Sequence, residues 1–292
     1  MARKNKNNSA FKSDDKKSFV ENLYEDELRC GFLVTSHRKK LWNVQIGLIN
    51  EFARICDKYN IKWFSYGGTT LGAARHKGFI PWDDDVDIVM FRPDYEKFKS
   101  VATEEVQYPY FVDNWYNYRL ESDEILGIKS DPTLPLITVN NQKNHWAGHP
   151  TFPIIKLRDS RTSMIEFPDR LTVNQGIWID IFPLDPVPPF SEERQAINFE
   201  IAKVLLLATA HPEYIRELLK QNPNLPIPKD ELQQVLNSPF QTRGMIFDKF
   251  VSDNFFQSAY VADIDSYCYS AKKNLDFETE CYTDFSYMPF EK

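Results

Sequence analysis

Apolar residues recur at Leu41, Val44, Leu48, Phe52 and Ile55, the three-and-four spacing of an amphipathic helix. That helix is expected from Leu41 to a stop at Asn60. IKWFSY then reads as a short buried strand, broken by Gly67-Gly68, with Thr69 suited to cap a helix through Leu71, Ala73 and Ala74. Gly78 and Pro81 end that helix, and VDIVMF is the next strand. Arg92-Pro93-Asp94 leads into a helix from Tyr95 to Glu104. Between Tyr108 and Phe182 the text becomes short β-like runs, YPYFV, LITV, FPIIKL, SMIEF and GIWIDIF. These predict a sheet, mostly antiparallel. PLDPVPP, with four prolines, is expected to be neither helix nor central strand. Two helical patterns follow, Glu192 to Lys220 and Asp230 to Val251, divided by NPNLPIP; the aromatic tail from Phe255 has no clear pattern. The expected fold class is α/β (α+β), a mixed sheet flanked by helices with further C-terminal helices. Residues 1–37 are expected to be a disordered or loosely attached basic segment, 38–190 the core, and 191–292 a helical region with an aromatic-rich tail.

Charge narrows the partners. The chain carries 35 Lys plus Arg against 42 Asp plus Glu, a net charge of -7, whereas nucleic-acid binding usually shows as a basic excess. Small anionic ligands remain open, since they need only a local positive pocket. Cys30, Cys56, Cys268 and Cys281 form no CxxC pair and read as reduced thiols of a cytoplasmic protein. No apolar run approaches the roughly 18 residues of a membrane span. The leader MARKNKNNSAFKSDDKK lacks an apolar stretch behind it, so it reads as solvated chain rather than a secretory signal, with contact to the inner face of a membrane as the alternative.

Chemistry concentrates in YGGTTLGAARHKGFIPWDDDVDIVM, residues 66–90. In an extended strand Asp85 and Asp87 share a face, with Val86 and Ile88 on the other. Two carboxylates so close repel unless one is protonated or a cation lies between them. A hard divalent ion, Mg²⁺ or Mn²⁺, suits oxygen donors. Asp83 has the same parity, while Asp84 is expected to cap or to pair with a basic neighbour. Upstream, Gly67-Gly68-Thr69 joins strand to helix, where backbone N–H groups favour an anion, and Arg75, His76 and Lys77 could add positive charge. A lone GG is usually a turn and a DDD run a solvated loop; their combination within one short segment points to a phosphate-and-metal site.

GGTTLGAARHKGFIPWDDDVDI resembles the signature of the LicD family, phosphocholine transferases of bacterial cell-surface glycans related to fukutin-type sugar-phosphate transferases. The resemblance runs from Leu41 to Pro186 and includes KLRDSRT (Lys156 to Thr162) and NQGIWIDIFPLD (Asn174 to Asp185). It implies a nucleotidyltransferase-like core with a third carboxylate on a neighbouring strand. Asp180, flanked by isoleucines, is the candidate, because a lone acid in an apolar strand is costly unless paired or metal-bound; Asp185 is second and reads as a turn residue. The implied reaction moves phosphocholine from CDP-choline to a sugar hydroxyl of a teichoic-acid or lipopolysaccharide-type glycan on a lipid-linked carrier, and releases CMP. Gly67, Gly68, Thr69 and a metal on Asp83, Asp85, Asp87 and Asp180 would hold the diphosphate. Asp180 would take the acceptor's proton, and Arg75, His76, Lys156 and Arg158 would meet the leaving phosphate. Lys156 and Arg158 share a strand face by parity, which also fits two solvated charges. Choline calls for an aromatic cage, to which Trp115, Tyr116, Tyr118 or Trp146 could contribute, although each fits a core role as well; His145 and His149 read as loop. The family pattern continues to a GDYM-like motif, whereas this chain stops at SYMPFEK, so a shortened C-terminus is expected. Rival readings are transfer of ribitol or glycerol phosphate from its CDP donor, a true nucleotidyltransferase, and an inactive homologue acting as a binding subunit.

Overall fold

The helix expected from Leu41 begins earlier in the computed structural model, which describes residues 24–114, 117–125, 127–137, 154–166, 173–186, 192–210, 212–254, 260–263 and 277–278. A hairpin comes first, β1 (Glu27–Arg29) and β2 (Phe32–Val34), turning at Cys30 and Gly31, both with positive φ. Val34 is fully buried in the main core, so packed structure starts inside the segment expected to be loose. Strands of three residues carry too little alternation to be read. Helix α1 spans Ser36–Tyr59, with the Thr35 hydroxyl accepting from the Arg38 N–H and Asn60 closing it in the left-handed conformation.

Along the chain then come β3 (Phe64–Ser65), α2 (Gly67–His76), β4 (Asp87–Phe91), α3 (Arg92–Glu105), β5 (Tyr110–Asp113), β6 (Arg119–Leu120), α4 (Glu121–Ile125), β7 (Leu136–Ile137), β8 (Ile155–Asp159) and β9 (Ile177–Pro186). Helices α5 (Glu192–Ala210), α6 (Pro212–Gln221), α7 (Lys229–Asn237) and α8 (Phe240–Asn254) follow, then β10 (Tyr260–Asp263) and β11 (Phe277–Glu278). Each of the two long helical patterns is thus two helices; Pro239 falls in the break between α7 and α8, where a missing N–H is harmless. The aromatic tail supplies β10 and β11. Over their described residues SMIEF forms no strand and LITV contributes β7, paired with β6 in a small parallel ladder.

The main sheet is mixed, so the α/β expectation holds. β4 runs parallel to β9 and antiparallel to β3. The other edge of β9 is shared: β8 pairs with residues 177–181 and β10 with residues 184–186, both antiparallel. β5 extends the sheet beyond β8. β9 corrects the expectation for PLDPVPP, because Pro183 stands within the ladder opposite Met90. The Asp180 N–H bonds to the Val86 carbonyl on the β4 side. By alternation the nitrogen of residue 183 faces the other edge, in the gap where β8 has ended and β10 has not begun, so no donor is missed.

One face of this sheet, with Val86, Ile88, Met90, Ile155, Leu157, Ile179 and Ile181, packs on Leu48, Phe52 and Ile55 of α1 and Phe98 of α3. On the opposite face Phe182 touches both a small cluster around Val89 and Leu184 and the core of α5–α8. Burial on both faces explains the unbroken apolar run after Asp87. Among the described residues no helix is long and apolar enough to cross a membrane.

Candidate active site

Gly67 opens α2 at φ +49, after an extended Tyr66, a turn that favours glycine. Thr69 is therefore not the cap; it lies in the first turn, and its hydroxyl accepts the N–H of Asp87 at 2.9 Å. The Tyr66 N–H returns a bond to the Asp87 carbonyl at 3.0 Å. These two bonds clamp the start of the helix to the start of β4.

The ladder register then aligns four charged residues across four strands: Asp87, Asp180, Lys156 and Asp113. In-register neighbours project to the same face. Asp180 is held on both oxygens, by Lys156 Nζ at 2.9 Å from Oδ1 and by an N–H from Trp178 Nε1 at 2.8 Å to Oδ2. Lys156 also meets Glu166 at 3.0 Å and stands 4.5 Å from the Trp178 ring centroid.

Above this row the acids of the loop converge. Carboxylate oxygens of Asp83, Asp84 and Asp85 come within 4.8 Å of one another, so Asp84 joins the cluster and, among the described residues, pairs with no base. An ideal Cβ on Gly68 would lie 2.6 Å from Asp83 Oδ2, and one on Gly67 3.6 Å from Asp87 Oδ2. The absent side chains are what let carboxylates approach the helix start, whose N–H groups and dipole favour negative charge.

The acids disturb one another's protonation. Burial, then the charges of Asp85, Asp180 and Asp83, push the Asp87 carboxyl up to about 7 against a partial pull from Lys156. Burial, the hydrogen bond to Asp83 and its charge, and then Asp180, raise Asp85 to about 6. Hard oxygen donors short of positive charge fit a divalent ion such as Mg²⁺ or Mn²⁺; among the described residues the oxygens of Asp83, Asp84 and Asp85 converge most closely, while Asp87 and Asp180 interact with them through their charge.

Three of the expected phosphate ligands stand elsewhere. Arg158 shares the face of Lys156, as parity implies, but is 0% exposed. Its guanidinium bonds to Asp113 Oδ2 at 2.5 Å, the Gly176 carbonyl at 3.1 Å and Glu166 at 3.2 Å, which leaves it turned into protein rather than toward a ligand. His76 faces Cys30, with Nδ1 3.8 Å from Sγ, and the edge of Trp82. Arg75 is exposed in the last turn of α2, remote from the helix start. Asp185 is no turn residue; it is buried in β9 and held by Arg92 through two bonds of 2.6 and 2.7 Å. Tyr118 belongs to the helical core. Trp115, Tyr116, Trp146, His145 and His149 lie outside the described residues.

Several contributors are not legible in the sequence. Glu166 ties Lys156 to Arg158, and Trp178 fixes Asp180. From α1, Arg38 and Trp42 donate to the Asp83 carbonyl and Gln45 to the Asp84 carbonyl. Their helical spacing is visible along the chain, but only the fold puts the acid loop against it.

Residues 60–191 match the family model described as LicD/FKTN/FKRP, nucleotidyltransferase domain. A protein of Haemophilus influenzae named lipopolysaccharide cholinephosphotransferase LicD is 43% identical over 146 residues, 50% of this chain and 43% of that protein. An uncharacterized protein of Rickettsia prowazekii is 37% identical over 112 residues, 38% of each chain. Another, of Rickettsia typhi, is 30% identical over 99 residues, 34% of this chain and 29% of its own. The chain spans less than half the length of each of these relatives. No solved structure matches it.

Proposed function

We propose, from the match of residues 60–191 to the LicD family and the acid row within them, that this protein transfers phosphocholine from CDP-choline to a sugar hydroxyl of a lipid-linked cell-surface glycan, of lipopolysaccharide or teichoic-acid type. The observation that carries the reading is the in-register pairing of Asp87 with Asp180 beside a helix start stripped of side chains at Gly67 and Gly68. The activity for which the Haemophilus relative is named supports choline as the alcohol. In this reading the protein works at the inner face of the membrane without spanning it.

Asp85, Asp87 and Asp180, with Asp83 beside them, would hold Mg²⁺ or Mn²⁺. That ion would supply positive charge to the diphosphate as the bond to CMP breaks. The N–H groups at the start of α2 bind diphosphate oxygens, which the bare Gly67 and Gly68 permit at close range. Lys156 and Trp178 keep Asp180 aimed, and Asp180 takes the proton of the attacking sugar hydroxyl. The sugar oxygen bonds to the choline-bearing phosphorus as the bridging oxygen leaves with CMP.

The direct test is CMP release from CDP-choline by the purified chain with a glycan acceptor, with and without Mn²⁺. Metal-dependent, acceptor-dependent CMP is the expected result. Preference for CDP-ribitol would overturn the choline assignment, and pyrophosphate release from CTP would make the protein a nucleotidyltransferase. Gly68→Ala supplies a second check. Its Cβ would fall 2.6 Å from Asp83 Oδ2 and would narrow the approach to the helix start. The donor KM should rise about tenfold, the cost of roughly one good hydrogen bond, with the circular dichroism spectrum unchanged.

A further inference from the structure

We infer that α1 is a positioning element for the metal-binding loop: Arg38, Trp42 and Gln45 fix the backbone of Asp83 and Asp84 so that the neighbouring carboxylates converge on one divalent cation. The inference rests on the metal reading above and extends it to residues outside the 60–191 match.

The three side chains occupy one stripe of α1, four and then three residues apart. Arg38 Nη1 donates to the Asp83 carbonyl at 2.7 Å, and Trp42 Nε1 donates to the same oxygen at 3.0 Å. Gln45 Nε2 donates to the Asp84 carbonyl at 2.7 Å. All three take carbonyls, so α1 grips the loop without occupying the carboxylate oxygens.

A loop held only for stability could leave these carbonyls to water, since Asp83 is only half-buried and Asp84 is exposed. Instead two buried polar side chains are given to them, Trp42 at 3% exposure and Gln45 at 2%. Trp42 is itself locked by stacking on Phe79 at 4.9 Å. Gln45 Oε1 finds no hydrogen-bond partner among the described residues, a cost accepted for the sake of the donor end. Three successive acids would splay a free loop through like-charge repulsion. Backbone tethers hold them together before any cation arrives, which is what preorganisation of a metal site requires.

The test is Mn²⁺ titration by calorimetry and by the electron paramagnetic resonance signal of free Mn²⁺. It uses the full chain and its Trp42→Phe, Gln45→Met, Arg38→Met and Arg38→Lys variants. Trp42→Phe keeps a ring to stack but loses the N–H, and half-buried Arg38 provides variants that fold if a core change does not. Each loss of a donor should weaken Mn²⁺ binding by about tenfold, as removal of a ligand-orienting partner typically does. Arg38→Lys, which retains one donor, should lie between Arg38→Met and wild type. Wild-type affinity in all folded variants would overturn the inference while leaving the metal site standing. No Mn²⁺ binding by the wild-type chain would overturn both.

Discussion

Replacing Asp87 by asparagine is expected to abolish transfer while making the metal-free protein more stable at pH 8. The carboxyl of Asp87 is raised from 3.8 to about 7, so the folded chain binds this proton more tightly than the unfolded chain. The stability it contributes is fully present below about pH 4 and is lost as pH rises through 7. A shift of about three units corresponds to roughly 4 kcal/mol at about 1.4 kcal/mol per unit. Coupling to Asp85 and partial solvation reduce the expected gain in Asp87→Asn to about 1–2 kcal/mol at pH 8. Urea melts should show wild-type stability falling between pH 5 and 8 and the variant falling less. Mn²⁺ should restore the wild type at pH 8 and do little for the variant. Turnover should drop on the order of 10³-fold, the scale of several kcal/mol of lost charge stabilisation. A variant that keeps its rate within tenfold of wild type would remove the metal mechanism, whatever its stability.

This opposition between stability and activity is partly legible in the residue pattern. Alternation puts Asp85 and Asp87 on one face, and periodicity places β4 and the C-terminal end of α1 close to their true bounds, while the start of α1 at Ser36 lies ahead of its apolar stripe. The pairing of Asp180 with Asp87 is not in any spacing, because strand neighbours distant in sequence leave no local trace; only the family resemblance points to it. Thr69 departs from expectation for a related reason. A threonine after Gly-Gly looks like a cap, yet the helix has already begun on the glycines, and the hydroxyl is left to serve a strand that follows it by many residues. Pro183 shows the limit of a rule about proline: the missing N–H matters only where a neighbour stands to receive it, and that depends on where β8 ends and β10 starts.

Arg158→Met should cost about 3–5 kcal/mol of stability, because it strands a buried partner. Arg158 and Asp113 are both 0% exposed, and burial already pushes the Asp113 carboxyl upward while Arg158 draws it back. Without the guanidinium, Asp113 must take up a proton or remain an uncompensated charge beneath β8. Arg158→Lys should also be damaging, since an ammonium cannot span Asp113, Glu166 and the Gly176 carbonyl together. The double variant Asp113→Leu/Arg158→Met should recover much of the loss, as apolar replacement of a buried pair often does. Urea midpoints for the two singles and the double decide the energetic question, and the donor KM decides the functional one. A variant as stable as wild type but with weakened CDP-choline binding would make Arg158 a phosphate ligand after all. The expected result makes it part of the scaffold instead, acting through Glu166, which it shares with Lys156. The active face would then depend on a charge that no substrate touches, since the ammonium aiming Asp180 is itself braced from behind.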